Sequence, residues 1–394
     1  MFSRPRAAAL LLPVAILAGC AGTGEQAPAA RLPADLAQPL PGGAAPARAP
    51  APPSEREIRA MVTRLIPVTA RDRSGWADDL HDAFSRLDLP HAPPVYCAAI
   101  AIIEQESSFQ VDPVVPGLSD IVWRELEQRG GKYGIPRMLI SAAMLKTSPD
   151  GRSYSQRIAT LKTEKQLNAL FEDMIAELPA GKMLFAGYNP VRTGGPMQVS
   201  IAFAEEFARE KAYPYPVDRS IRDEVFTRRG GLYFGSAILL DYPAPYDDVA
   251  YRFADFNAGR YSSRNAAFQA ALAGVSGKPM TLDGDLLRYR DGRPLDQPSE
   301  VEAALQALSG KLRLSPREIR RDLLLEKSAA FAQTPLYSRL FAAADRAADR
   351  VLPRQAMPQI DLKSPKITRK LTTEWFARRV EGRYRNCLAR AASG

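Results

Sequence analysis

Two carboxylates at the end of an apolar run are the strongest candidates for chemistry in this sequence. Residues 98–103 are apolar, and Glu104 and Glu106 stand directly after them. On a helix of about 3.6 residues per turn, these two side chains point about 200° apart, so they cannot share one environment. A carboxyl group beside apolar residues is desolvated, which raises its pKa toward the range of a general acid at neutral pH. We therefore expect Glu106 to face a cleft, with a solvated helix-terminal Glu as the alternative.

Several other chemistries do not fit the residues at hand. His81 and His91 are the only histidines, and neither a His-Glu-x-x-His pattern nor a Cys-x-x-Cys pair is present, so we predict no metal. The sequence has no Gly-x-Ser-x-Gly elbow, and no Gly-Lys pair is followed by Ser or Thr, as a P-loop requires. What remains is carboxylate chemistry without a cofactor.

Three short motifs occur in an order that resembles one enzyme superfamily. They are Glu-Ser-Ser-Phe at 106–109, Gly-Pro-Met-Gln-Val at 195–199 and Ala-Asp-Phe-Asn-Ala-Gly at 254–259. These segments are similar to the Glu-Ser-x-Phe, Gly-Leu-Met-Gln and Ala-Tyr-Asn-Ala-Gly segments of lytic transglycosylases with the goose-type lysozyme fold. The resemblance covers about residues 90–270. Over its full length, the chain also resembles uncharacterised outer-membrane lipoproteins of the YaiW type.

The resemblance implies a role for each matched residue. Glu106 would be the lone acid and base that cleaves peptidoglycan between N-acetylmuramic acid and N-acetylglucosamine. Ser107, Met197 and Gln198 would contact the sugars, and Asn257 would form the far wall of the cleft. In that family the acetamido oxygen of the substrate stabilises the oxocarbenium-like centre, so a second carboxylate is not required.

The sequence departs from the family's pattern at three points. Val115 stands where the family has a Ser, and Phe256 replaces a Tyr, so two hydroxyls are missing. About ninety residues separate Glu106 from the Gln-bearing motif, far more than in the family, and we predict a helical insertion at about 118–190. These departures leave open a catalytically inactive protein that binds the cell wall or an envelope partner protein. A lipoprotein chaperone or scaffold unrelated to glycans is a further alternative.

Three more carboxylates lie close to the motifs. Each could supply a base for simple hydrolysis, which would make the protein a muramidase. Each could equally be a surface or helix-capping residue. They are Asp112, Asp120 and Asp255.

The N-terminus has the layout of a bacterial lipoprotein. Residues 1–19 hold two arginines and then an apolar run that is too short to span a membrane, as in a secretory signal peptide. Leu-Ala-Gly-Cys at 17–20 resembles the lipobox, which implies that Cys20 is acylated, with palmitate among the acyl chains. Residues 20–53 are rich in Ala, Pro and Gly and are predicted to be a disordered tether. We expect a lipid-anchored protein of the outer membrane, on the periplasmic side rather than the cell surface.

Folded structure is expected from Ser54 onward and is predicted to be mainly α-helical. Ser54 and Glu57 form a capping-box pattern, and residues 286–295 form a hairpin pattern. We predict a lysozyme-like domain at 54–275 that contains the insertion, followed by a hairpin and a basic helical extension at 276–394. Apolar residues recur at helical spacing in segments 164–178, 198–210, 230–241, 300–309, 316–327, 335–350 and 371–390.

The C-terminal region carries most of the net positive charge. The formal net charge is +9, and nine basic residues against two acidic ones lie between Lys363 and Arg390. Such a face suits anionic lipid or carboxylate-bearing cell wall, and a merely solvated basic helix is the alternative that we favour. Because no nucleic-acid-binding motif accompanies it, we predict no nucleic-acid partner.

Two cysteines remain once Cys20 is assigned to lipid. Cys97 and Cys387 would lie in a compartment that oxidises thiols. A disulfide between them would join the basic C-terminal helix to the helix that carries Glu106. Two buried free thiols are the alternative, since sequence alone does not give their geometry.

Overall fold

The computed structural model of the protein describes a chain that folds from Pro53 onward. Residues Pro53–Gly394 form one compact unit. The predicted signal peptide, Cys20 and nearly all of the predicted tether lie outside the described residues. The residues that the structure describes are 53–132, 134–177, 189–244, 246, 248–290, 292–362 and 371–392.

The described part of the chain is mainly α-helical, as the periodic segments predict. Two short antiparallel hairpins accompany the helices: β1 (Thr193–Gly194) with β2 (Val199–Ser200), and β3 (Tyr289–Arg290) with β4 (Arg293–Pro294). The second hairpin lies within the segment for which the sequence predicts one. The helices are α1 (Glu55–Leu65), α2 (Arg73–Arg86), α3 (Pro93–Glu106), α4 (Leu118–Lys132), α5 (Arg137–Ala143), α6 (Tyr154–Ala159), α7 (Glu164–Glu177), α8 (Ile201–Glu210), α9 (Ile221–Val225), α10 (Arg228–Leu240), α11 (Val249–Ala258), α12 (Ser262–Ser276), α13 (Glu300–Ala307), α14 (Ser309–Leu312), α15 (Pro316–Leu323), α16 (Pro335–Ala348) and α17 (Thr373–Ala392).

Helix α3 runs through the core of the protein. Proline occupies its first turn, where a missing N–H costs nothing, and every residue from Tyr96 to Ile103 is buried. A helix that is apolar on all sides is stable only when other elements surround it. Helices α1, α10 and α17 pack against α3 and provide that cover. Its buried body fixes the position of its last residue, Glu106.

The buried apolar residues form two large clusters. The first extends from α1 to α11 and includes Phe376, Val380 and Cys387 of the C-terminal helix α17. The second is built from α12 to α16, between Ala267 and Ala344. Helix α17 therefore packs with the first cluster, whose other helices lie far from it in sequence.

The region of the predicted insertion is helical where it is described, with α4 to α7 between residues 118 and 177. Its middle is loosely packed, because α5 buries none of its residues. Its later part is tied to the loop after α3: the backbone N–H of Val115 donates to the carbonyl of Lys162 at 2.7 Å, and Val114 forms a bridge with Thr163. This pairing brings the start of α7 close to the end of α3.

Candidate active site

Glu106 lies on the wall of an open cavity of about 560 Å³. Further parts of the chain complete that wall: the β1–β2 hairpin, Ile238 of α10, the end of α11, Leu362, and Phe376 of α17. The lining residues include Glu106, Thr193, Gln198, Val199, Ser200, Ile238, Phe256, Asn257, Ala258, Gly259, Leu362 and Phe376. The cavity thus holds one carboxylate, two carboxamides and several apolar side chains, a combination that suits a sugar.

The two carboxylates at the end of α3 have different surroundings. Glu106 is half-buried and faces the cavity. The carboxylate of Glu104 lies 3.8 Å from the Arg383 guanidinium of α17, which is an ion pair within the protein. The structure therefore agrees with the prediction that the two side chains occupy separate environments.

Gln198 reaches the cavity from the tight turn of the β1–β2 hairpin. Its backbone is left-handed, with φ of 50°, and its N–H donates to the carbonyl of Gly195 at 3.1 Å. Gly195 also has a positive φ, and a Cβ there would lie 2.0 Å from the carbonyl oxygen of Val225, so only glycine fits. The turn is held firmly against α9 and α10, and Gln198 has a defined position as a result.

Asn257 lies on the opposite wall, near the end of α11. Its carboxamide oxygen accepts a hydrogen bond of 3.0 Å from the hydroxyl of Thr373, the first residue of α17. This bond leaves the amide nitrogen of Asn257 as a donor for a ligand. The C-terminal helix therefore orients one wall of the cavity, and Phe376 of the same helix adds an apolar surface to it.

Two of the expected sugar-contacting residues are not on the cavity wall. Met197 is fully buried, and its sulfur packs so closely on α10 that a Cβ at Gly235 would lie 2.3 Å from it. Ser107 is buried at the end of α3, where its hydroxyl donates to the carbonyl of Ile103 at 3.0 Å. Both residues contribute to the fold around the cavity.

The two positions that depart from the family's pattern differ in their surroundings. Phe256 lies on the cavity wall, so the site itself lacks the tyrosine hydroxyl of the lytic transglycosylase pattern. Val115 is buried in the first cluster, and its backbone pairs with the insertion. The side chain of Val115 serves packing.

Asp255 is a structural residue and not a spare base. It is fully buried and accepts hydrogen bonds from the hydroxyls of Tyr242 at 3.0 Å and Tyr246 at 2.7 Å, and from the backbone N–H groups of Tyr261 at 2.9 Å and Ser263 at 2.7 Å. Burial raises its pKa, and these hydrogen bonds oppose the shift. The carboxylate joins the end of α11 to the start of α12 and has no access to a ligand.

The other two spare carboxylates differ from each other. Burial raises the pKa of Asp112, although a hydrogen bond with Thr163 opposes the shift, so this carboxyl lies beside the start of α7 in a desolvated position. Asp120 is exposed in the first turn of α4. Of the three candidates, Asp112 is thus the half-buried carboxyl next to the start of α7.

Cys97 and Cys387 form a disulfide that joins α3 to α17 across 290 residues of sequence. Both cysteines are fully buried in the first cluster. The bond fixes the helix that ends in Glu106 to the helix that supplies Phe376 and Thr373. It therefore connects two walls of the cavity.

Sequence reasoning missed the residues that reach the site from a distance. Thr193, Leu362 and Phe376 line the cavity, and Thr373 orients Asn257. Glu164 of the insertion accepts a hydrogen bond from Gln198. None of them belongs to a motif, and their contacts depend on tertiary packing. Only the unusual length between the first two motifs drew attention to the insertion.

The described residues give no sign of a metal centre or a membrane span. Among them, no group of three or more His, Cys, Asp or Glu side chains could hold a metal ion. No helix in that same part of the chain combines the length and apolar character needed to cross a bilayer.

Comparison with known proteins gives a family. A family described as "Protein of unknown function (DUF1615)" matches residues 69–390. This chain belongs to the DUF1615 family. It is 45% identical over 384 residues to the "Uncharacterized protein YaiW" of Escherichia coli (strain K12), and the match covers 98% of each chain. The predicted similarity to YaiW is thereby confirmed.

No solved structure matches the chain. The DUF1615 match includes Glu106, Gln198 and Asn257, together with α17 almost to its end. The whole cavity thus lies inside the region that defines this family.

Proposed function

We propose that this DUF1615 protein has a lysozyme-like fold and cleaves the glycan strands of peptidoglycan between N-acetylmuramic acid and N-acetylglucosamine. The observation that carries the proposal is the meeting of Glu106, Gln198 and Asn257 on the walls of one cavity. These residues come from the three motifs that resemble those of lytic transglycosylases, and they are far apart in sequence. Their convergence is the geometry that such a catalyst needs.

In this proposal Glu106 acts first as an acid and then as a base. Its carboxyl group donates a proton to the glycosidic oxygen, and the bond from that oxygen to the sugar's anomeric carbon breaks. The acetamido oxygen of the same sugar stabilises the positive charge that develops. The carboxylate of Glu106 then accepts the proton of the muramyl 6-hydroxyl as this oxygen bonds to the anomeric carbon, which gives a 1,6-anhydro product. Gln198 and Asn257 would hold the sugar through their carboxamides.

The cellular setting follows from the N-terminal pattern. An acylated Cys20 and the tether that follows would hold the enzyme on the outer membrane, within reach of peptidoglycan on the periplasmic side. Several acyl chains anchor a protein stably where one does not. Peptidoglycan is then the substrate, and no cofactor takes part.

Muropeptide analysis tests the proposal. Soluble protein comprising residues 53–394 is incubated with purified peptidoglycan beside a Glu106→Gln variant, and mass spectrometry identifies the released products. We expect 1,6-anhydro muropeptides from the wild type and none from the variant, because the amide can neither donate nor accept the catalytic proton. Products with reducing ends would mean hydrolysis, and Asp112→Asn would then show whether Asp112 supplies the base.

A catalytically inactive cell-wall binder is the second candidate. The observation in its favour is Phe256, which leaves the cavity wall without the hydroxyl that lytic transglycosylases have next to their catalytic acid. Sedimentation with insoluble peptidoglycan separates the two functions: a folded protein that sediments with the wall and releases no product is a binder. Absence of both would favour an envelope protein as the partner.

A further inference from the structure

The insertion contributes a carboxylate directly behind the cavity wall. The amide nitrogen of Gln198 donates to the Glu164 carboxylate at 3.0 Å, across 34 residues of sequence. We propose that Glu164 is a positioning residue, which fixes the direction of the Gln198 amide so that one of its N–H groups meets an acceptor oxygen of an N-acetylated sugar. This inference rests on the proposed function for the identity of the ligand.

A carboxylate determines the direction of an amide more strictly than most partners. The two ends of a Gln carboxamide have nearly the same shape, but one end only donates and the other only accepts. An ionised carboxylate only accepts, so the nitrogen of Gln198 must face Glu164. On the other side, the Thr193 hydroxyl donates to the Gln198 oxygen at 3.1 Å. Both ends of the amide are therefore assigned by their neighbours.

The arrangement leaves Gln198 ready to bind a ligand. One N–H of its amide is used by Glu164, and the second remains for the cavity that Gln198 lines. A hydrogen bond to a charged acceptor is shorter and stronger than one between neutral groups, so it holds the amide firmly in one direction. Gln198 then offers an oriented N–H to a carbonyl or hydroxyl oxygen. An acetamido carbonyl of an amino sugar is such an acceptor.

The position of Glu164 is itself well defined. It is the first residue of α7, and the hydroxyl of Thr163 caps this helix by accepting from the backbone N–H of Gln166 at 3.2 Å. The Val114–Thr163 bridge and the bond from Val115 to Lys162 join this helix start to the loop after α3. The insertion is thus joined to the core directly before Glu164, and these contacts hold Glu164 beside Gln198.

Glu172 offers a matched control. It lies on the same helix, and its carboxylate also accepts a hydrogen bond from a side-chain amide, that of Asn189, at 2.9 Å. It is not among the residues that line the cavity. A change at Glu172 reproduces the loss of a carboxylate on α7 without affecting Gln198.

The first measurement is calorimetric binding of the tetramer of N-acetylglucosamine to the wild type and to four variants: Glu164→Ala, Glu164→Gln, Glu172→Ala and Glu172→Gln. We expect Glu164→Ala to weaken binding roughly tenfold, the scale of one charge-assisted hydrogen bond. Glu164→Gln keeps an acceptor oxygen and is expected to restore most of the affinity. Both Glu172 variants are expected to bind like the wild type. Wild-type binding by Glu164→Ala, or equal loss in Glu172→Ala, overturns the inference.

The second measurement reports on Gln198 without any ligand. In protein labelled with ¹⁵N at glutamine, the side-chain amide signal of Gln198 is assigned from its absence in Gln198→Leu. We expect Glu164→Ala to shift and broaden this signal and Glu172→Ala to leave it unchanged. If the wild type binds no tetramer, the proposed substrate is wrong, and this signal alone decides the role of Glu164. An unchanged signal in Glu164→Ala rejects that role.

Discussion

Two fully buried carboxylates, one beside the cavity and one in the second hydrophobic cluster, are held in different ways. Asp255, between α11 and α12, accepts four hydrogen bonds from two hydroxyls and two backbone N–H groups. Glu326, after α15, accepts the backbone N–H of Leu286, and its other oxygen has no hydrogen-bond partner among the described residues. Burial raises the pKa of Glu326 to about 7, although hydrogen bonds with the Tyr289 side chain and the Leu286 backbone oppose the shift.

The difference shows that burial alone does not decide what a carboxylate does. A carboxylate with a full set of donors can stay charged inside a protein, and it then fixes the segments that supply the donors. A carboxylate with an incomplete set gains a proton instead when the pH falls. The carboxylate beside the cavity therefore joins the segments that supply its four donors, whereas the second cluster contains a group that titrates near neutral pH.

The largest expected effect concerns the disulfide, which strengthens only the first of these two regions. Replacing Cys97 and Cys387 together by Ser is expected to reduce the free energy of unfolding by about 5 kcal/mol, because the bond closes a very long loop in the unfolded chain. Hydrogen exchange should show weaker protection in α3 and α17, with α13 to α16 less affected. Equal loss of protection in both clusters would mean that they unfold as one unit.

Asp255→Ala is expected to cost about 4 kcal/mol, since four buried donors lose their acceptor at once. Urea unfolding at neutral pH measures the loss. Asp255→Asn keeps one acceptor oxygen and is expected to cost less than the alanine variant. A loss below about 1 kcal/mol for Asp255→Ala would show that the donors find other partners.

Glu326→Gln is expected to remove a pH dependence rather than a fixed amount of stability. In the folded protein the pKa is about 7, above the ordinary value of 4.5, so the protonated form stabilises the fold fully below about pH 4.5 and this contribution is lost as the pH rises through 7. Between pH 5 and pH 8 the free energy of unfolding of the wild type should fall by about 2 to 3 kcal/mol, and that of the variant should not show this fall. Denaturant unfolding at both pH values checks this. If the free energy of unfolding changes equally with pH in the two proteins, the titration of Glu326 is rejected.

The smallest effects are expected at the helix caps, where the two regions are alike. Ser54 and Ser315 each form a reciprocal capping box, with Glu57 and Glu318 respectively. Replacing either serine by Ala is expected to lower the free energy of unfolding by about 1 kcal/mol. Both boxes are exposed, so thermal unfolding of the two variants should give similar shifts. A much larger loss at one site would point to a role beyond capping.

Local signals predicted much of the fold. The Ser54–Glu57 capping box and the hairpin at 286–295 follow from residues a few positions apart. The apolar run of α3 predicted a buried helix, and the angle between Glu104 and Glu106 predicted two environments. Such features depend on helix geometry and nearest neighbours, which the sequence states directly.

The rest of the site depends on contacts between distant segments. The sequence predicted Gln198 and Asn257 at the cavity, and both line it. It also assigned Met197 to the sugars, but this side chain is buried in the core, because a motif does not say which of two adjacent side chains faces the cavity. The bonds from Gln198 to Glu164 and from Thr373 to Asn257 span 34 and 116 residues. No local pattern encodes them, since they arise when the insertion and α17 dock on the core.

The docking of α17 also determines when the cavity can be completed. Cys387 follows Cys97 by 290 residues, and Thr373 and Phe376 belong to the same helix as Cys387. Until α17 has been made, the wall that orients Asn257 does not exist, and α3 lacks one of the helices that cover it. The cavity is completed only after the residues of α17 have been made, so a nascent chain carries Glu106 without a finished site.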